Sequence, residues 1–186
     1  MTKNGPKTED ASLVDKLKRG DPDAVEEMYN ANINLVYSLV YNQVDKNRDA
    51  AQEIVQETFI AAIRAIKYFQ VRSSISTWLC SIANRKVADF YRRKKREDEH
   101  RISQGVDPEK TGDLADEGPA DYAMDIRQAL SNLPLNYRQV IVLKYIEGFS
   151  VADISGIMGK TEKSIEGLLS RARKELRSNL EHSDEG

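Results

Sequence analysis

The stretch SVADISGIMGKTEKSIEGLLSRARK, Ser150 to Lys174, can fold in few ways. Apolar residues recur at helical spacing on both sides of a break at Gly159. Ser150 and Asp153 form an S-x-x-D cap for the first helix, and Thr161 can cap the second. Ser155 is the small residue where the helices cross, Gly159 a turn residue free to take positive φ, and Ile154, Ile165 and Leu168 the apolar contacts. The inner face of the second helix continues through Leu169, Ala172 and Leu176. This spacing predicts a helix-turn-helix.

With that face turned inward, Thr161, Glu162, Lys163, Glu166, Gly167 and Ser170 point outward early in the second helix. In a DNA-reading motif these positions meet base edges in the major groove. Arg171, Arg173 and Lys174, with Arg177, lie further along and suit phosphates, which position without specifying. An ordinary helical hairpin with a solvated basic face has the same pattern. Glu162 and Glu166 argue against a DNA face through phosphate repulsion, unless a carboxylate accepts from cytosine N4.

The chain has 186 residues, 40% hydrophobic and 31% charged, enough for one ordinary core or two small helical ones. No apolar run approaches the roughly 18 residues of a membrane span, and the N-terminus lacks the apolar core of a signal peptide. A cytoplasmic protein with no membrane insertion of its own is expected. One cysteine, Cys80, and two histidines cannot assemble a Cys/His zinc site, so no metal or cofactor is expected. Cys80 reads as a small buried hydrophobe.

A net charge of −2 conceals a sharp asymmetry. Arg85 to Arg96 carries seven basic residues against Asp89 alone; Glu97 to Asp125 carries ten acids against Arg101 and Lys110. Segregation of this kind suggests polyanion binding on one side and a solvated linker on the other.

Apolar periodicity predicts a helix from Asp21 to about Val44, capped by Asp21 with Pro22 in its first turn. A second follows the break DKNRD, with Asp49 and Gln52 as a capping box. Its apolar stripe is Ile54, Val55, Thr58, Phe59, Ala62, Ile63, Ile66 and Phe69. QVRSSIS reads as a polar loop, and TWLCSIANRKVADFYRRKKR as a long helix turning basic. Residues 97–120, with glycines and prolines but no period, read as a linker. Helices resume at 121–132 and near Pro134. The expected fold is all-α: a helical module over 12–96, the linker, a second module over 121–180, and loose tails at 1–11 and 181–186.

The second module, LSNLPLNYRQVIVLKYIEGFSVADISGIMGKTEKSIEGLLSRARKEL, resembles region 4 of the extracytoplasmic-function (ECF) sigma factors, the smallest members of the sigma-70 family. DAAQEIVQETFIAAIRAIKYF followed by STWLCSIANRKVADFYRRKKR resembles their region 2. The resemblance covers roughly residues 12–180, both modules in family order. It implies docking on the clamp helices of the polymerase β′ subunit through Glu53, Gln56 and Glu57, and contact with the β flap by region 4. Read by themselves, those residues equally fit solubilising charges. It implies recognition and melting of the −10 element by the loop bearing Gln70, Arg72, Ser73, Ser74 and Ser76, with Trp78 as the nearest stacking aromatic. Asn84, Arg85 and Lys86, then Arg92 and Arg93, would follow the DNA. The family usually places a basic residue before the asparagine; here the order is Asn84–Arg85, which leaves open which one meets a base. The recognition-helix set above would read the −35 element, though KSIEGLL departs from the better-known members.

The resemblance implies a non-catalytic promoter-specificity subunit of RNA polymerase, partnered by promoter DNA and a cognate anti-sigma factor. The roughly 25 residues of linker reach ~80 Å at ~3.3 Å each. That exceeds the separation of the two promoter elements, about 50–55 Å at ~34–36 Å per turn. A one-component regulator would need a sensing pocket in the first module, and a DNA-acting enzyme a nucleophile with a base or a carboxylate cluster. Ser73, Ser74 and Ser76 have no histidine nearby in sequence.

Overall fold

A computed structural model describes residues 8–103 and 122–183. Every regular element among them is helical: α1 (Thr8–Lys18), α2 (Pro22–Tyr41), α3 (Arg48–Ala65) running into a 3₁₀ turn (Ile66–Tyr68), α4 (Ile75–Ser103), α5 (Tyr122–Ser131), α6 (Leu135–Ile141) running into a π-helical turn (Val142–Ile146), α7 (Val151–Met158) and α8 (Glu162–Ser183). Most of the expected linker, residues 104–120, lies outside the described residues, as do residues 1–7 and 184–186 of the expected tails.

The first module is a bundle in which α2, α3 and α4 pack on one another and α1 closes one side. Asp21 caps α2 by accepting from the Asp23 N–H at 3.0 Å, and Pro22 occupies the first turn. Met28, Val36, Leu39 and Val40 of α2 meet Ile54, Val55, Phe59 and Ala62 of α3, all buried. From α4 come Ile75, Leu79, Cys80, Ala83 and Val87. Cys80 is fully enclosed, in keeping with the small buried hydrophobe expected.

Several boundaries move. The region expected as a loose tail already contains the start of α1, whose Val14 and Leu17 are buried. Two apolar side chains contributing ~1.5–3 kcal/mol each suffice to dock one short helix, but give too weak a period to reveal it. Helix α2 ends at Tyr41, and the next helix is capped by Asn47, not by an Asp49 box: its side chain accepts from the Ala50 N–H at 2.8 Å. Positive φ at Asp45 and Lys46 turns the chain between them. Ile63, expected on the inner stripe, is 45% exposed. Helix α4 passes through the charge reversal and ends at Ser103, so the first seven residues of the expected linker are helical. Lys95 and Glu99, 3.7 Å apart across one turn, join the basic and acidic stretches on one helix face. Residues 181–183 of the expected C-terminal tail belong to α8.

The second module packs α6, α7 and α5 around α8. The local chemistry of the helix-turn-helix is as expected. Ser150 and Asp153 complete the capping box, Gly159 ends α7 at φ +63, and the Thr161 hydroxyl accepts from the Ser164 N–H at 3.2 Å. Ser155 donates to the Lys160 carbonyl across the turn. Ile154, Ile157, Ile165, Leu168, Leu169 and Ala172 form the buried crossing.

Candidate nucleic-acid interface

Three surfaces carry the residues singled out by sequence. The first is the outer face of α3. Glu53 and Gln56 are exposed there, and the spacing continues along the same face to Ile60 and Ile63. Those isoleucines are 42% and 45% exposed, on a helix whose opposite side is core. Glu57 does not join this face. Its carboxylate lies 2.9 Å from Lys86 Nζ and 3.9 Å from Arg93 Nη1, tying α3 to α4.

The second surface is the 3₁₀ turn, the loop after it and the outer side of α4. Gln70 and Arg72 are exposed and Ser73 half-buried. The other two serines are engaged in the fold. Ser74 Oγ accepts from the Thr77 N–H at 3.1 Å and so caps α4, and Ser76 Oγ donates to Asn32 Oδ1 at 2.6 Å. Trp78 is half-buried with its ring 4.6 Å from that of Phe69, and Phe69 is itself buried. The freely offered ring is instead Tyr68, 79% exposed, two residues before Gln70. Only its place at the edge of the apolar stripe could have flagged it from sequence.

On α4 the Asn84–Arg85 pair divides by burial. Asn84 shares the inner face with Cys80, Ala83 and Val87 and is 6% exposed, whereas Arg85 is exposed and braced by its Nε on the Ser81 carbonyl at 3.1 Å. Lys86 is held by Glu57, and Arg92 by the neighbouring Asp89. Arg93 remains half-open beside Glu57.

The third surface is α8. Thr161, Glu162, Lys163, Glu166, Gly167, Ser170, Arg171, Arg173 and Lys174 are all exposed, while Ile165, Leu168, Leu169 and Ala172 are buried beneath them. A Cβ at Gly167 would meet nothing, so no internal packing demands the glycine. The helix thus presents one uninterrupted outward ridge, flat at Gly167 and basic toward its middle.

The two modules also touch. Arg138 of α6 donates to the Gln43 carbonyl at 2.9 Å and to Asp45 Oδ1 at 2.7 Å, and α7 packs on α4. Among the described residues no His, Cys, Asp and Glu cluster could hold a metal, and no helix is long and apolar enough to cross a membrane.

The family model for Sigma-70 region 2 matches residues 28–97, and that for Sigma-70, region 4 matches residues 123–176. The chain is similar to the ECF RNA polymerase sigma factor SigW of Bacillus subtilis, 30% identical over 183 residues, 90% of this chain and 94% of SigW. It belongs to the ECF sigma factors. The ECF RNA polymerase sigma factor SigC of Mycobacterium tuberculosis is 31% identical over 175 residues, covering 93% of this chain and 92% of SigC. Two solved structures share the fold of this sigma factor. CnrH in complex with the cytosolic domain of CnrY matches at TM-score 0.66 and 23% identity, over 93% of this chain and 97% of CnrH. RpoE in complex with the anti-sigma factor NepR from Bartonella quintana matches at TM-score 0.66 and 24% identity, over 84% and 96%. The all-α architecture with regions 2 and 4 in order therefore holds for this chain.

Proposed function

We propose that this sigma factor acts in the cytoplasm as a promoter-specificity subunit with no catalysis of its own. It binds core RNA polymerase through the Glu53–Gln56–Ile60–Ile63 face of α3, reads the −35 element with α8, and captures unpaired −10 bases at the loop after α3. The observation that carries this reading is the α8 ridge. Nine outward positions are all exposed over a buried Ile165–Leu168–Leu169–Ala172 seam, in a chain that also holds a region 2 bundle. A cognate anti-sigma factor is the further partner of this reading; of the two fold neighbours, RpoE was solved with the anti-sigma factor NepR and CnrH with the cytosolic domain of CnrY.

Run-off transcription on fragments of the source genome, with purified core polymerase, tests the reading. Discrete starts that appear only with this protein and share upstream −10 and −35 sequences are expected. Fragment binding without core-dependent initiation would transfer the protein to the one-component regulators.

Within the −10 set, Trp78 is committed to Phe69, so Tyr68 is the ring positioned to receive a base. Stacking contributes about 1–3 kcal/mol per base. Tyr68→Ala is expected to weaken holoenzyme binding to a single-stranded −10 oligonucleotide by about 5- to 150-fold, the same range expressed as affinity. Tyr68→Phe should bind as wild type. Equal losses in core affinity would move Tyr68 to the polymerase-docking surface.

A further inference from the structure

The basic half of α4 is less cationic in the fold than in the sequence. From Thr58 to Ala88 the chain carries no Asp or Glu, and Glu57 and Asp89 stand at the two ends of that stretch. Both carboxylates turn onto cations of α4. Lys86 Nζ donates to Glu57 Oε2 at 2.9 Å, Glu57 Oε1 lies 3.9 Å from Arg93 Nη1, and Asp89 holds Arg92. Arg85, by contrast, is exposed and rests on its own helix. Its Nε donates to the Ser81 carbonyl at 3.1 Å and its Nη2 to the Ser81 hydroxyl at 3.4 Å, with no carboxylate partner among the described residues.

These pairs are not equivalent. Asp89–Arg92 and Lys95–Glu99 join residues three and four apart on an open helix face, every side chain about half exposed or more. Pairs of that kind contribute little and part readily. Glu57 instead reaches from α3 across to α4, and it and Lys86 are each only about a third exposed. Partial burial lessens the screening of their attraction by water and salt. Glu53, one turn before Glu57, lines a groove with Arg93, so a second carboxylate borders the same cation. A phosphate that takes Lys86 must draw it off Glu57, and it leaves a half-buried carboxylate beside its own negative charge.

We propose that Glu57 is a countercharge residue that withholds Lys86 and Arg93 from DNA phosphates and so limits the sequence-independent affinity of region 2. The proposal rests on the functional reading above. Glu57 acts in it through the two cations and touches neither DNA nor polymerase. Each cation engaged with phosphate strengthens binding to every sequence alike and makes that binding more sensitive to salt. With Lys86 and Arg93 held by Glu57, Arg85 is left as the phosphate contact in this part of α4. Region 2 then leaves non-promoter duplex readily, and its hold on a promoter comes from the −10 bases.

The test is the affinity of holoenzyme for a non-promoter duplex over a series of salt concentrations. Glu57→Gln keeps the shape of the side chain and an acceptor for Lys86, and removes the charge. It is expected to bind more tightly than wild type and to steepen the plot of log affinity against log salt by ~0.9 if one cation is freed and ~1.8 if both are. The advantage of the variant should accordingly shrink about 3- to 12-fold between about 50 and 200 mM salt. Lys86→Gln in the presence of Glu57 should leave the slope as in wild type, whereas Arg85→Gln should flatten it by ~0.9. Adding Lys86→Gln and Arg93→Gln to Glu57→Gln should restore the wild-type slope. A pair that only braced α3 against α4 would alter the melting temperature and not these slopes. An unchanged slope in Glu57→Gln would overturn the proposal, as would full flattening by Lys86→Gln alone. Core affinity of Glu57→Gln, read by fluorescence anisotropy, checks the rival role: a loss there would return Glu57 to the docking face and overturn the proposal as well. Wild-type protein that forms no holoenzyme would strike the functional reading and this proposal together, whereas an active holoenzyme with unaltered slopes would strike the proposal alone.

Discussion

Ile60→Asp with Ile63→Asp is expected to abolish productive binding to core polymerase while leaving the fold untouched. Both side chains are more than two-fifths exposed, so the bundle loses little by their removal, and surface changes of this kind usually stay within about 0.5 kcal/mol. The same residues are the only large apolar groups on a helix face otherwise made of Glu53 and Gln56. An apolar pair rimmed by polar groups has the anatomy of an interface centre. Central anchors cost about 2–4 kcal/mol each when lost, and a buried carboxylate in their place adds a desolvation penalty. A loss of 30-fold at the least is expected, and core affinity measured by fluorescence anisotropy would read it. Glu53→Ala and Gln56→Ala, at the rim, should produce smaller losses that grow at low salt, because rim charges act mainly on encounter. A double variant with unchanged core affinity and weakened promoter capture would place this face on DNA instead.

What sequence revealed and concealed divides along range of interaction. The helix-turn-helix was legible because each part is local: Ser150 with Asp153, Gly159 at its turn, and Thr161 with Ser164 lie within three residues of their partners. The all-α class followed from periodicity, and the division into two modules from the aperiodic stretch with glycines and prolines between them. Less legible features depend on which partner a side chain takes in the fold. Ser74 and Ser76 carry the same hydroxyl whether they cap a helix, bind Asn32 or meet a base. Ser76's bond to Asn32 became visible only once α2 lay alongside α4, whereas Ser74's cap on the Thr77 N–H is as local as that of Thr161. Asn84 was an exception, since its interval from Cys80 and Val87 already put it on the inner face. The charge reversal at Glu97 was read as a structural boundary, but helix α4 continues through it with Lys95 and Glu99 paired on one face. Arg138 was the least legible of all. Its first-module partners Tyr91 and Asp45 are 47 and 93 residues away in sequence, and a lone arginine between Tyr137 and Gln139 carries no sign of them.

On α8 the expected result separates two roles that exposure cannot. Arg171, Arg173 and Lys174 are exposed past the first turns of α8, where a recognition helix leaves base edges and passes the backbone. Removing all three should flatten the dependence of log affinity on log salt by ~2.7, from about 0.9 per phosphate contact. The same term predicts a loss on the order of 100-fold at physiological salt, equal for every sequence. Lys163→Ala and Glu166→Ala should behave differently. Each loses about 1–3 kcal/mol on the preferred −35 sequence and little on others, because a base-edge contact discriminates and a phosphate contact does not. Glu166 supplies the stricter test, since an exposed carboxylate repels phosphate wherever it makes no specific bond. If it accepts from cytosine N4, alanine weakens binding at one base pair and only there. If it does not, alanine strengthens binding to all DNA alike. Competition of randomised −35 duplexes at two salt concentrations distinguishes these outcomes in one experiment. Uniform losses from Lys163, Glu166 and the basic trio would mean that the reading face lies elsewhere around the helix.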